Sequence, residues 1–307
     1  MSNLAVRVLA TLAYSDQFQF PLLVDEIQQR LIGMTADVFS IENTLENLKR
    51  MELVEQDGDW YFLKGSQKFI EIRKGREQYL DEKTSEIKEF VDWAQHIPWI
   101  KAVVVTGSVA VRNVRPHSDV DFMIITMKRR LWLSRILVYI MTWLKGRRRT
   151  WYGHEQDSWC FNLWMDESAL SLPLDKHDVY TAYEVCQAEW VMDRDAVQHR
   201  FYWANEWVRD FLPQFYLERV EEAREILSKF EEWWAQQEQK FAAPVLRKIG
   251  DVLCSAADGI SYLIQHGYMY PHLTREIVGW HYAFFHPRNT HYLISQQWRA
   301  SLAKVLK

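Results

Sequence analysis

The sequence predicts an α+β protein in which a mixed β-sheet lies between two largely helical segments. Apolar residues recur at helical spacing over residues 4–51, two β-branched runs follow at 100–106 and 120–126, and helical periodicity dominates again from Asp178 onward. The chain has 307 residues, of which 48% are hydrophobic and 25% charged. This composition is typical of a globular protein, and the length suggests about two domains.

Residues 1–65 are predicted to form three helices and a β-hairpin. The apolar positions that mark the first and third helices are Leu4, Val8, Leu9 and Leu12, and then Ile41, Leu45, Leu48 and Met51. Pro21 is suited to the start of the second helix, because proline is favoured in a first helical turn. Two short apolar runs then flank Asp57–Gly58, a dipeptide typical of a tight hairpin turn. Together these elements predict a winged helix-turn-helix motif.

The rest of the chain divides into three predicted segments. Residues 66–97 carry many charges and almost no turn signals, so we expect one long connecting helix that ends before Pro98. Residues 98–175 are predicted to form the mixed-sheet domain, with a helix over 130–145 and further strands at Arg149–Tyr152 and Trp159–Met165. Residues 176–307 are predicted to form a helical domain.

The charge distribution bears on nucleic-acid binding. Residues 1–65 hold ten acidic and five basic side chains, and the predicted recognition helix carries Asp37, Glu42 and Glu46. Acidic side chains would meet DNA phosphates unfavourably, so DNA binding is not expected and a structural or protein-contact role is preferred. Residues 128–149 hold eight basic and no acidic side chains. This segment is either an electropositive rim for a triphosphate or nucleic acid, or a solvated helix face.

Cysteine usage and hydropathy predict a cytoplasmic protein without membrane contact. The three cysteines are far apart, as expected for a reducing compartment, and the N-terminus lacks the features of a signal peptide. The longest apolar-rich stretch, Leu131–Leu144, is too short to span a bilayer. A buried helix is a better interpretation of this stretch than a helix on a membrane surface.

The segment around residues 100–126 contains the residues that point to chemistry. An apolar run ends at Gly107, where a residue without Cβ lets a phosphate approach the backbone. Ser108 then lies near a helix N-terminus, where free N–H groups favour an anion. Asp119 and Asp121 are two residues apart at the entrance to the next strand, so both side chains leave the same face. Two neighbouring carboxylates are suited to a divalent cation bound together with substrate phosphates.

This arrangement resembles the nucleotidyltransferase (DNA polymerase beta-like) superfamily. The resemblance is most specific over residues 100–126, where a glycine-serine turn is followed by Ser118-Asp119-Val120-Asp121. Phe161-Asn162 and Tyr180-Thr181-Ala182 with Glu184 are similar to bacterial members that carry an N-terminal winged helix. The resemblance implies a nucleotidyltransferase fold over residues 98–175.

The resemblance also implies roles for individual residues. Gly107, Ser108 and Ser118 would contact the nucleoside triphosphate, together with Arg112, the nearest match to an arginine of the family. Asp119 and Asp121 would hold Mg²⁺ or Mn²⁺. A third catalytic carboxylate is expected on a later strand, but the central polar residue there is Asn162, which does not accept a proton. Asp157, just before that strand, is our candidate for this role.

Three functions follow from these observations. The first is transfer of a nucleoside monophosphate from a triphosphate to a hydroxyl acceptor, which is a small molecule, a protein or an RNA end. The second, suggested by Asn162, is a non-catalytic nucleotide-binding regulatory protein. The third is a DNA-binding regulator built on the winged helix.

Overall fold

The computed structural model describes residues 1–146, 158–237, 244–273, 276–285 and 290–306, without the side chains of 232–237, 244–249 and 290. The first helices are α1 (Asn3–Asp16), α2 (Val24–Gln29), α3 (Val38–Arg50), α4 (Phe69–Glu77), α5 (Leu80–Ala94), α6 (Gly107–Ala110) and α7 (Leu131–Leu144). The later helices are α8 (Val179–Gln187), α9 (Val197–Ala204), α10 (Pro213–Gln237), α11 (Pro244–Met269) and α12 (Thr290–Val305). The strands are β1 (Val54–Asp57), β2 (Trp60–Leu63), β3 (Ile100–Thr106), β4 (Val120–Thr126), β5 (Trp159–Asp166), β6 (Glu189–Asp193), β7 (Ile277–Val278) and β8 (Tyr282–Phe284).

The N-terminal segment forms three helices and a hairpin, as the sequence predicts. The second helix begins at Val24 and not at Pro21, because Leu22 forms a β-bridge with Tyr61 of β2. The α1, α2 and α3 helices surround a core in which Val8, Leu9 and Leu45 are fully buried. Strands β1 and β2 pair antiparallel, and Gly58 adopts a positive φ of 58° in the turn between them. The left-handed backbone there explains why a glycine follows Asp57.

The expectation of a single connecting helix over 66–97 is wrong, because the chain breaks between α4 and α5. Arg76 at the end of α4 is buried and donates to the Phe18 carbonyl at 3.0 Å, which ties α4 to the N-terminal segment. In α5, Phe90 and Ala94 are fully buried against the central sheet. The two helices contact different partners, and the helix is interrupted at Gln78–Tyr79. Helical periodicity alone does not show such a break.

The central sheet is mixed, with strand order β6-β3-β4-β5-β8-β7. Strands β4 and β5 are parallel and the other neighbouring pairs are antiparallel. Three of these strands, β6, β7 and β8, come from the segment 176–307. We expected this segment to be helical throughout, and that expectation is wrong. These strands have between two and five residues, and their pairing depends on β3 and β5, so local sequence gives little sign of them.

The two faces of the sheet contact different layers. On one face, Val103, Phe122 and Ile124 pack with a cluster that includes residues of α5 and α7. On the other face, Val104 and Met123 pack with a cluster that includes residues of α8, α9 and α10. Side chains alternate between the two faces along a strand. Asp121 therefore shares a face with Met123 and not with Phe122, and it lies on the α8 side.

The N-terminal segment is packed onto the same α8 layer. The rings of Tyr14 in α1 and Tyr183 in α8 stack with their centroids 4.1 Å apart, and the Tyr183 hydroxyl donates to the Arg30 carbonyl at 2.8 Å. Asn113, in the loop after α6, donates to the Phe18 carbonyl at 3.1 Å. The N-terminal segment is thus joined both to α8 and to the loop that follows Gly107.

The sequence favoured a buried helix over Leu131–Leu144. In the structure, this helix, α7, is buried on one side only. Trp132, Arg135 and Val138 face the protein interior, whereas Ile140 and Trp143 are exposed. Hydropathy does not separate these two sides, because α7 is apolar on both. In the described part of the chain, no helix combines the length and hydropathy that a bilayer-spanning segment needs.

Candidate active site

The bend after β3 brings Gly107 against the Asp121 carboxylate. Gly107 has a positive φ of 66°, a conformation that side chains disfavour. A Cβ atom built on Gly107 would lie 2.6 Å from Asp121 Oδ2, closer than real Cβ contacts allow. Glycine is therefore required here both by the backbone conformation and by the close approach of a carboxylate.

Asp119 lies directly before β4 and is held by the start of β5. Its Oδ1 accepts hydrogen bonds from the Ser158 backbone N–H at 3.1 Å and from the Ser158 hydroxyl at 2.9 Å. The Val120 N–H in turn donates to the Ser158 carbonyl at 3.2 Å. The parallel pairing of β4 and β5 thus fixes the aspartate that precedes β4.

Asn162 is the polar residue of β5 that reaches Asp121. Its Nδ2 donates to Asp121 Oδ1 at 2.6 Å, and its Oδ1 accepts from the Cys160 thiol at 2.8 Å. A side-chain amide therefore lies where the family resemblance implies a third carboxylate. It orients Asp121 but does not act as a base.

Glu184 on α8 is an additional carboxylate at this site, and the sequence did not assign a role to it. Burial, reinforced by the negative charge of Asp121, raises the pKa of Glu184 to about 7, and a hydrogen bond from Tyr180 partly opposes this shift. Burial and the charge of Glu184 also raise the pKa of the Tyr180 hydroxyl well above its usual value. The spacing of Tyr180 and Glu184 by four residues on one helix is the signal that could have linked them.

A cavity of about 420 Å³ opens beside these residues, between the sheet and α8. Thr106, which pairs with Asp121 across β3 and β4, and Glu184 both line it. Its apolar lining includes Met123, Leu163, Phe201, Ile277 and Phe284. The site therefore combines a carboxylate-bearing edge with an apolar chamber, a combination common in small-molecule sites.

His291 lies at another part of the cavity lining. Its Nδ1 is 3.0 Å from Asp178 Oδ2, and its Nε2 is 3.4 Å from Lys176 Nζ. These contacts join α12 to the start of α8 and place a cation, Lys176, on the cavity wall.

Asp119, Asp121 and Glu184 offer carboxylate oxygens, the type of ligand that Mg²⁺ prefers. Within the described ranges, no group of three or more His, Cys, Asp or Glu side chains is arranged to hold a metal ion. The protein would contribute two carboxylates, Asp119 and Asp121. This number agrees with sites in which substrate phosphates complete the magnesium shell.

The remaining sequence-selected residues lie in α6, on the loop between α6 and β4, or outside the described residues. Ser108 is half-buried in the single turn of α6, and its carbonyl accepts from the Asn113 N–H at 2.8 Å. The Ser118 hydroxyl accepts from the Arg115 N–H at 3.0 Å within a turn, and Arg112 is exposed. Asp157 and the expected strand Arg149–Tyr152 lie outside the described residues.

A scan against protein-family models, a search of curated proteins and a search of solved structures each found no match to this chain. The family resemblance therefore rests on the motif residues, and function is argued from the geometry of the site.

Proposed function

We propose that this chain has a nucleotidyltransferase fold and transfers a nucleoside monophosphate from a nucleoside triphosphate to a hydroxyl group. The observation that carries the proposal is the contact between the Gly107 bend and the Asp121 carboxylate, beside a cavity that Glu184 also lines. A bend without a Cβ atom admits a phosphate chain, and the adjacent carboxylate is suited to the metal that accompanies it.

Asp119 and Asp121 would hold Mg²⁺ or Mn²⁺, which neutralises charge on the triphosphate and on the leaving pyrophosphate. Ser158 fixes the Asp119 carboxylate and Asn162 fixes that of Asp121. Because Ser158, directly before β5, and Asn162, on β5, orient the two aspartates, little reorganisation is needed when the substrate binds.

Glu184 is the general base in this proposal. A base is most effective when its pKa is close to the working pH, and burial brings the pKa of Glu184 to about 7. The acceptor O–H proton passes to the Glu184 carboxylate, and the acceptor oxygen forms a bond to the α-phosphorus. The bond from that phosphorus to the bridging β-phosphate oxygen breaks, and pyrophosphate leaves.

The acceptor in this proposal is a small molecule. The cavity beside Glu184 has a volume of about 420 Å³, within the size range of sites for small ligands. An RNA end or a protein loop would have to enter this chamber of largely apolar walls, in whose described lining Lys176 is a cation. The apolar lining suits an acceptor with a hydrocarbon body and a hydroxyl near Glu184.

Nucleotide transfer is tested with α-³²P-labelled ATP, GTP, CTP and UTP, magnesium, and a mixture of small hydroxyl compounds. We expect the wild-type protein to release pyrophosphate and to form a labelled product, and Asp121→Ala to form none. Glu71→Gln, at an exposed carboxylate on α4, is the matched control and should retain full activity. Equal labelling by the wild type and Asp121→Ala would contradict the proposal.

A second candidate function is nucleotide binding without transfer. The observation that favours it is the hydrogen bond from Asn162 to Asp121 Oδ1, which engages an oxygen that a metal would otherwise use. Calorimetry with a non-hydrolysable ATP analogue and magnesium separates the two functions. Tight binding in the absence of pyrophosphate release with every acceptor would favour the regulatory role.

DNA binding by the winged helix is not part of this proposal. Asp37, Glu42 and Glu46 are exposed on or beside α3, the helix that would enter the major groove. Their charges oppose contact with phosphates. A gel shift at low salt tests this expectation, and specific retardation of duplex DNA would contradict it.

A further inference from the structure

Asn113 ties the loop after α6 to the N-terminal segment. It ends a turn that begins at Gly107, and its backbone N–H donates to the Ser108 carbonyl at 2.8 Å. Its side chain is buried, with Nδ2 donating to the Phe18 carbonyl at 3.1 Å and Oδ1 accepting from Arg76 Nη1 on α4. Asn113 therefore closes the Gly107 turn, which runs from Gly107 to Asn113, and attaches it to two segments outside the central sheet.

The hydrogen bonds of Arg76 make this attachment costly to break. The Arg76 side chain is buried, and its guanidinium also donates to the Phe18 carbonyl at 3.0 Å and to Gln19 Oε1 at 2.6 Å. These acceptors, like the Asn113 amide oxygen, are neutral. A buried cation loses much of its hydration, and neutral acceptors compensate for this loss only while each hydrogen bond is kept. The folded protein therefore favours a close contact between Arg76 and Asn113.

The backbone of the Gly107 turn is of a kind that has to be held in place. Gly107 and Arg112 have positive φ angles of 66° and 55°. Residues with a side chain disfavour this conformation, which persists where the surrounding structure imposes it. Val109 and Val114 pack into the cluster on the α5 side, but apolar packing is non-directional. The hydrogen bonds of Asn113, directly after Arg112, are directional and can impose the strained angle.

We propose that Arg76 and Asn113 are positioning residues, through which the N-terminal segment holds the Gly107 turn in the conformation that receives a nucleoside triphosphate. Neither side chain has to touch the nucleotide, because both act through the backbone between Gly107 and Arg112. The identity of the ligand rests on the proposed function, whereas the holding of the turn is a property of the protein alone. The N-terminal segment thereby gains a role at the site that does not involve DNA.

The first test is amide hydrogen exchange of the nucleotide-free protein. Asn113→Ala removes both side-chain hydrogen bonds, and exchange in the Gly107 turn should become at least about 10-fold faster, with the increase confined to the turn. Arg76→Ala should have the same effect. The matched control is Arg73→Ala, because Arg73 also joins α4 to the N-terminal segment, but through the Pro21 carbonyl and the Glu26 carboxylate. It should leave exchange in the turn unchanged.

The second test is calorimetry with a non-hydrolysable ATP analogue and magnesium. We expect the dissociation constant of Asn113→Ala to be at least about 10-fold higher than that of the wild type. Arg73→Ala should bind as the wild type does. An unfolded fraction of a variant would lower the binding stoichiometry and leave the dissociation constant unchanged, so this measurement separates positioning from a loss of folded protein.

Three results would overturn the inference. These are equal exchange of the turn in the wild type and Asn113→Ala, an increase that Arg73→Ala reproduces, and faster exchange of the turn with an unchanged dissociation constant. A wild-type protein that does not bind the analogue would contradict the proposed function instead. The exchange measurement would then still decide whether Arg76 and Asn113 hold the turn.

Discussion

The two faces of the central sheet are built from the same strands but differ in what they contain. On the α5 and α7 side, Phe122 is fully buried between aromatic rings, with Phe90 at 4.6 Å and Phe161 at 5.5 Å between centroids. On the α8 side, the neighbouring residue Asp121 meets Gly107, Asn162 and a cavity-lining glutamate. Of two successive residues of β4, Phe122 thus contributes to packing and Asp121 to the candidate active site.

This difference indicates how the protein separates stability from function. A face filled with rings contributes free energy of folding, because each buried ring removes apolar area from water. A face that gathers carboxylates around a cavity costs stability, because buried like charges repel. Substitution of Phe122 should therefore change stability, and substitution of Asp121 should change activity.

The largest effect on stability is expected for Phe122→Ala. Removing a fully buried ring leaves a cavity, and the free energy of unfolding should fall by about 3–5 kcal/mol. Urea denaturation followed by tryptophan fluorescence measures the change. A loss below about 1 kcal/mol would show that the Phe122 ring is not densely packed.

Asp121→Asn is expected to reduce activity strongly and to change stability little, the opposite of Phe122→Ala. Loss of the carboxylate should reduce nucleotide transfer by at least about 100-fold, because metal-assisted stabilisation contributes several kcal/mol. The free energy of unfolding should stay within about 1 kcal/mol of the wild type, since the substitution also relieves repulsion from Glu184. Steady-state kinetics and urea denaturation of the same preparation test both parts, and a large loss of stability would contradict the comparison.

Glu184 should make both activity and stability depend on pH. Transfer should rise with pH and then level off, because the base must be deprotonated. The folded-state pKa is raised, so the neutral form favours folding at low pH and this contribution is lost as pH rises through about 7. Glu184→Gln should therefore gain stability relative to the wild type between pH 5 and pH 8. Denaturation across this range measures the gain, and no change would contradict the role of burial.

Gly107→Ala should lower both stability and transfer. The left-handed backbone costs a non-glycine residue about 1–2 kcal/mol, and the new methyl group must displace the Asp121 carboxylate. We expect a modest loss of stability with a larger loss of transfer. Ala110→Gly, in the same short helix, is a control for local flexibility and should not displace Asp121.

Local sequence was sufficient for the features that depend on neighbours along the chain. The Asp57–Gly58 hairpin, β3, β4 and the choice of Asn162 as the polar residue of β5 all follow from short patterns of apolar, turn and polar residues. Gly107 and Asp121 lie at adjoining ends of paired strands, and the pattern that predicts both strands also predicts their proximity.

The features that the sequence did not reveal depend on distant partners. Strands β7 and β8 are too short to show a period of their own and exist because β8 pairs with β5. Glu184 reaches the Asp121 site because α8 lies across the sheet, a packing that no spacing within α8 specifies. The break between α4 and α5 likewise follows from the anchoring of Arg76 to a carbonyl of the N-terminal segment.

The central claim is that Asp119 and Asp121 together bind a divalent cation beside the Gly107 bend. Its most direct test is anomalous diffraction from crystals grown with Mn²⁺ and a non-hydrolysable nucleoside triphosphate. We expect one manganese peak or more in contact with both carboxylates and with phosphate oxygens at Gly107. Manganese and triphosphate bound elsewhere, with Asp119 and Asp121 pointing apart, would contradict the account.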